Sequence, residues 1–160
     1  MKDRWAGNGL VLGGFAALLL AGCASPGPMA KIGSGDIVAD RQRLMKNTGA
    51  NWQDIQNKFK AGNFEGMAVN AETLAINADH IPSLFPEGSL TDKSKAKPEI
   101  WQKRAEFDEA ARNMETWSVR LRDAARKKDQ AEVGAIMKDF GRQACGSCHT
   151  PFRVPPPARS

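Results

Sequence analysis

Cys145-Gly146-Ser147-Cys148-His149 places two thiols and an imidazole side by side. On a helix, residues three and four apart share a face, so this order presents both sulfurs and the ring to one ligand. C-x-x-C-H is the attachment signature of c-type haem. The two thiols add to the vinyl groups, and the adjacent imidazole reaches the iron on the same face. Three other chemistries use a C-x-x-C pair. A thioredoxin-like dithiol expects a βαβ setting, and no such pattern is present. A zinc site needs four ligands, and beyond His149 the chain offers His80, carboxylates and the distant Cys23. A structural disulfide is the third.

The rest of the composition narrows the class. The chain has 160 residues, 41 % apolar and 26 % charged, which reads as one globular domain. Its three Cys cannot close a disulfide framework, and its two His are too few for a histidine cage. The formal charge is +5. No basic-aromatic motif accompanies it, so no nucleic-acid partner is expected.

The third thiol lies near the start. Lys2 and Arg4 precede a short uncharged run from Ala6 to Gly22. That pattern reads as a secretory signal, too short and glycine-rich for a comfortable membrane span. The run ends Leu20-Ala21-Gly22-Cys23, which resembles a bacterial lipobox. The resemblance implies cleavage before Cys23 and lipidation of its thiol, enough acyl chain for stable anchoring. Ala24, where a sorting signal for retention carries Asp, implies the outer membrane of a Gram-negative bacterium, with the domain in the periplasm. Removing 1–22 takes away Lys2, Asp3 and Arg4 and leaves a formal charge of about +4. Residues 23–35 read as the lipidated N-terminus and a flexible Pro/Gly/Ser-rich tether. The folded domain is expected over 36–153, with a Pro-rich tail at 154–160.

Helices must position the C-terminal motif. No stretch alternates like a strand. Apolar residues instead recur at three- and four-residue steps, one stripe per helix. Val38, Arg41, Met45, Thr48, Trp52, Ile55 and Phe59 form the first stripe. Phe64, Met67, Ala71, Leu74, Ala78 and Ile81 form the second. Ile100, Phe107, Ala110, Met114, Trp117, Leu121 and Ala124 form the third, and Val133, Met137, Phe140, Ala144 and Cys148 the fourth. Ala61-Gly62-Asn63 and Lys127-Lys128-Asp129 are short connections, and Pro82 to Lys97 is a long one, with Pro98 opening the third helix. Short, long, short connections predict an all-α antiparallel four-helix bundle. Phe59, Phe64, Leu74, Phe107, Leu121 and Phe140 are expected in its core. Arg41 is a charge on an apolar stripe, and Met45 suits either packing or ligation.

These features together resemble the cytochrome c′ family and its low-spin branch, the cytochromes c-556. The resemblance spans roughly 36–153. It rests on Arg41-Gln42 with Met45-Lys46, on Leu84-Phe85-Pro86, on Lys97-Pro98-Glu99-Ile100-Trp101, and on Cys145 to His149 with Arg153. It implies one covalent haem c, held by Cys145 and Cys148, with His149 as proximal ligand. Arg41 and Gln42 are then expected at the haem edge, Arg41 pairing a propionate. Arg153 is expected beside the imidazole and Lys95 where the loop passes the haem. Trp101 is expected in packing, and His80 at a helix end rather than on iron. Related bundles often dimerise through their first two helices, so a homodimer is a further expectation.

Met45 divides the functional readings. As a sixth ligand it implies a low-spin His/Met cytochrome that transfers single electrons to periplasmic redox partners. Without that ligation the haem is five-coordinate, as in cytochromes c′ that bind NO or CO. A third class is a structural lipoprotein with a non-haem C-x-x-C. No nucleophile–base pair stands out, and Glu106, Asp108 and Glu109 fall on a solvated helix face, so no enzyme is expected. The cluster of Arg120, Arg122, Arg126, Lys127 and Lys128 is a candidate docking site for an acidic redox partner.

Overall fold

The computed structural model describes residues 35–156. Residues 1–22, Cys23 and most of the tether lie outside that range. The segment runs α1 (Ile37–Lys60), α2 (Phe64–His80), a 3-10 turn (Pro82–Leu84), α3 (Glu99–Gln102), α4 (Arg104–Arg126), α5 (Gln130–Phe140), a π turn (Gly141–Cys145) and α6 (Gly146–Phe152). It is an antiparallel four-helix bundle: α1, α2, the α3–α4 pair, and α5 continuing through the π turn into α6. Among the described residues the only β feature is an isolated bridge between Ala96 and Arg153.

Local chemistry sets the ends. Asp36 caps α1 by accepting from the amides of Val38 and Ala39. Asn63 and Asp129 cap α2 and α5 in the same way. α1 ends in a Schellman motif: Asn63 N–H donates to the Lys58 carbonyl and Gly62 N–H to the Phe59 carbonyl. That motif needs a left-handed residue, and Gly62 supplies it at φ +67°. α4 ends with the same two bonds, from Asp129 to Ala124 and from Lys128 to Ala125. Here the left-handed position is Lys128, at φ 55°. A side chain there costs about 1–2 kcal/mol, while glycine loses roughly 0.5–1 kcal/mol more chain entropy on folding. Lys128→Gly should therefore raise stability by about 0.5–1 kcal/mol. Urea unfolding checks this, and an unchanged or lower midpoint refutes it.

The stripes read from the sequence face inward. Ile55, Met67, Ala71, Leu74, Ala78, Ile100, Phe107, Met114, Leu121, Val133, Phe140 and Ala144 are buried in one core. Trp52 of α1 stacks on Phe140 of α5 at 4.4 Å between centroids, joining first and last helices. Phe59 and Phe64 meet edge to face at the rim, only half-buried. The core also takes Ile136 and Phe152, which the four stripes omit.

Two expected helices are not single rods. The third breaks at Lys103 (φ −124°, ψ 49°), so Glu99–Gln102 is a separate turn before α4. The break lets Ile100 bury while Trp101 Nε1 donates to the Pro86 carbonyl at 2.8 Å. The fourth contains the π turn immediately before the thiols.

Candidate functional site

Cys145, Cys148 and His149 open onto one cavity of about 530 Å³, within the range of roughly 300–1,000 Å³ typical of cofactor sites. Each wall comes from a different element. α1 supplies Val38, Arg41, Gln42, Met45, Lys46 and Thr48; α4 supplies Phe107 and Met114; the loop supplies Phe85 and 94–96. The last helix adds Ala144, the three motif residues, Phe152 and Arg153. Most of the lining is apolar. The charged side chains on it are all cationic: Arg41, Lys46, Lys95 and Arg153.

The half-buried thiols are free. Burial pushes both above the ordinary thiol range, and Cys148, also beside Cys145, reaches about 11. In the chain without haem they are therefore protonated at neutral pH. Burial, followed by the nearby Arg153 charge, lowers the His149 pKa. A neutral imidazole is the metal-ligating form. His149 lies one turn before Arg153, whose backbone is strapped to the loop. Lys97 N–H donates to the Phe152 carbonyl at 3.0 Å, and Val154 N–H to that of Lys95 at 2.8 Å.

The scattered landmarks of the sequence converge here. Arg41 is 5 % exposed, so it is not a snorkelling surface cation. Its Nε donates to the Leu84 carbonyl at 2.6 Å and its Nη1 to the Ser89 carbonyl at 3.0 Å, while Nη2 donates to Ser89 Oγ. The guanidinium lies 4.2 Å from the Phe85 ring centroid and 5.8 Å from that of Trp101. Phe85 in turn packs on Phe107 at 4.9 Å, and Phe107 on Phe152 at 5.4 Å. Arg104 gathers the same loop, donating to the Phe85 and Pro82 carbonyls at 2.9 and 3.0 Å. Arg41 is thus first a tie between α1 and the loop, with two of its five guanidinium hydrogens left over.

Other candidates separate cleanly. Gln42, Met45 and Lys95 line the cavity; Trp101 and His80 do not. His80 is exposed, with its ring Nδ1 2.8 Å from the Ile76 carbonyl. The basic cluster near the α4 end is largely occupied. Arg122 pairs with Glu72 at 3.0 Å and Asp123 at 2.8 Å, Arg126 with Glu72 at 3.3 Å, and Arg120 reaches Glu132 at 4.0 Å. Glu106, Asp108 and Glu109 are likewise in ion pairs with neighbouring cations. By contrast, among the described residues no carboxylate pairs Lys46, Lys95 or Arg153. An apolar cavity with a cationic edge, two thiols and an imidazole fits a flat apolar cofactor bearing carboxylates. Haem c is that cofactor. Sequence reasoning missed Met114, a second thioether on the cavity, because its stripe position also reads as core.

Fold and site define a c-type haem-binding four-helix bundle. A sequence model of the cytochrome c′ family matches residues 36–153, and the chain belongs to that family. Among its relatives is cytochrome c-556 of Agrobacterium fabrum, 33 % identical and covering 88 % of this chain and 94 % of the relative. Cytochrome c′ of Rhodopseudomonas palustris is 28 % identical and covers 84 % of this chain and 93 % of the relative. A solved cytochrome c′ with an unusual ligand-controlled dimer dissociation shares the fold at TM-score 0.68 and 23 % identity, over 79 % of this chain and all of that one. Nothing in this supports the non-haem lipoprotein reading. Among the described residues no group of three or more His, Cys, Asp and Glu is placed to hold a metal ion.

Proposed function

We propose that this chain is a one-electron-transfer cytochrome of the c-556 kind, in which His149 and Met45 would both ligate the haem iron. One observation carries the reading: Met45 of α1 and His149 of α6 line the same cavity, which is what ligation of one iron by both would require. Bound haem supplies the redox-active iron. Cys145 and Cys148 hold it as thioethers, and the neutral imidazole of His149 ligates it. A Met thioether favours the reduced iron and raises its potential. Arg41, Lys46, Lys95 and Arg153 offer charge-assisted contacts to the propionates. The c-556 relative supports this reading by name and extent. The ferric spectrum tests it: low-spin at neutral pH is expected, and a high-spin spectrum rejects the ligation.

A second reading, five-coordinate haem that binds NO or CO, is favoured by the apolar wall of Ile100, Phe107 and Met114 and by the cytochrome c′ relative. Immediate CO uptake by the ferrous protein, with no ligand to displace, selects it.

The attachment chemistry has its own check. Changing Cys145 and Cys148 together to Ala should abolish covalent haem, read as loss of the pyridine haemochrome signal from the denatured chain. Haem that survives denaturation in that variant excludes the thioethers.

The location proposed is the bacterial periplasm, with Cys23 lipidated and the anchor in the outer membrane. No helix of the described residues is long and apolar enough to cross a membrane. Cys23→Ser should move the protein from the membrane fraction to the soluble one. A second copy and periplasmic redox proteins are the proposed partners; the structural neighbour noted above is one whose dimer dissociates under ligand control.

A further inference from the structure

We propose that Asn113 sets the orientation of the haem-binding helix by clamping the π turn that precedes it. The inference rests on Cys145, Cys148 and His149 being the haem-binding residues.

The last helix repeats its inward positions every four residues: Phe140, Ala144, Cys148 and Phe152. An α-helix turns about 100° per residue, so each four-residue step drifts about 40°, and three steps about 120°. A regular helix starting from buried Phe140 would rotate Phe152 away from the core. Gly141–Cys145 prevents this. Its closing bond, from Gly146 N–H to the Gly141 carbonyl, spans five residues, so the turn takes up one residue more than an α turn. That extra residue absorbs roughly 100° of the drift. Phe140 and Phe152 are consequently 0 % and 3 % exposed, and Cys145, Cys148 and His149 face the cavity. The phase of the ligand-bearing helix is decided in this turn.

π turns are rare and need support from their surroundings. Asn113 of α4 provides it from outside the helix. Its Nδ2 donates to the Gln143 carbonyl at 2.6 Å and to Ser147 Oγ at 3.2 Å, using both amide hydrogens. Ser147 Oγ donates onward to the Ala144 carbonyl at 3.2 Å. Two carbonyls inside the turn are thereby held, one directly and one through the residue that precedes Cys148. Asn113 does not line the cavity, whereas its neighbour Met114 does. It bonds none of Cys145, Cys148 and His149, and is a positioning residue that ties α6 to the helix walling the site.

The test uses the full chain with haem attached and compares wild type, Asn113→Leu, Asn113→Asp and Ser147→Ala. Leu keeps the bulk without a donor, and Asp cannot donate when ionised. Asn70→Ala is the control: it removes a buried amide that bridges Lys58 and Asp54 between α1 and α2, away from the cavity. Both Asn113 variants should shift the EPR g values and midpoint potential, and Ser147→Ala should shift them less and in the same direction. Amide exchange over 143–147 should quicken about tenfold, the expected effect of losing one part-buried hydrogen bond. Asn70→Ala should lower the melting temperature and leave the haem signals and this exchange unchanged. If the Asn113 variants lose only melting temperature, as the control does, Asn113 is merely structural and the proposal fails. If Asn113→Leu does not fold, Asn113→Asp and Ser147→Ala decide on the same readouts. If the wild type carries no haem by pyridine haemochrome, the haem reading is what fails. Exchange at 143–147 then decides the clamp alone, quicker in the variants if it exists and unchanged if it does not.

Discussion

If Met45 ligates as proposed, Met45→Leu should convert the ferric protein from low-spin to high-spin and lower its reduction potential. The substitution nearly conserves volume, and such swaps usually cost under about 1.5 kcal/mol. Met45 is half-buried against the core, so Leu can keep that packing while deleting the sulfur. What changes under the proposed ligation is the ligand. Without a thioether the ferric state is no longer disfavoured, and the fall should be on the order of 0.1 V, against the roughly 0.8 V that axial ligands span. Met114 gives an internal comparison, since it also lines the cavity, from α4, and is 5 % exposed. Met114→Leu should leave spin state and potential where they are. EPR and an optical redox titration of both variants check this. A wild-type protein already high-spin, unmoved by Met45→Leu, leaves the gas-binding reading standing.

Phe107→Ala should be the most damaging single truncation to stability, costing about 3–5 kcal/mol. Phe107 is 1 % exposed and sits between Phe85 and Phe152, edge to face with each. Arg104 lies 5.9 Å over its ring. Removing it separates the loop from the end of α6 and enlarges the cavity wall. Domains are stable by only roughly 5–15 kcal/mol, so the loss is a large share of the total. Urea unfolding followed by circular dichroism measures it. The midpoint should fall with little change in slope. A cost below about 1 kcal/mol would mean the aromatic chain is not what joins loop to helix.

Much of this was legible because it is local. The stripes at three- and four-residue steps anticipated four inward faces, and Asp36, Asn63 and Asp129 sit where capping chemistry places them. Gly62 marked the first connection for the same reason. Lys128 is the exception, a left-handed position that carries no glycine signal. Arg41 stood out as a charge on an apolar stripe, but its partners did not. Leu84 and Ser89 lie 43 and 48 residues away, and no spacing rule connects them. The break at Lys103 and the π turn were invisible because both trade regular helix geometry for long-range packing. In hindsight, the unbroken four-residue spacing from Phe140 to Phe152 was the one available signal for the π turn, since a true α-helix cannot keep it on one face.

By itself the sequence determined the four helical stretches, most of their buried faces, and the two thiols and imidazole of the haem-attachment motif, because each depends on neighbours within a turn or two. The tertiary structure decided which distant elements wall the cavity and that, among the described residues, no carboxylate pairs Lys46, Lys95 or Arg153 beside it. It also showed that Arg41 is spent largely on the loop and that Met45 shares its cavity with a second thioether, Met114 of α4. Such outcomes depend on how whole helices pack and at what phase, and a one-residue change of phase swings every later side chain by about 100°.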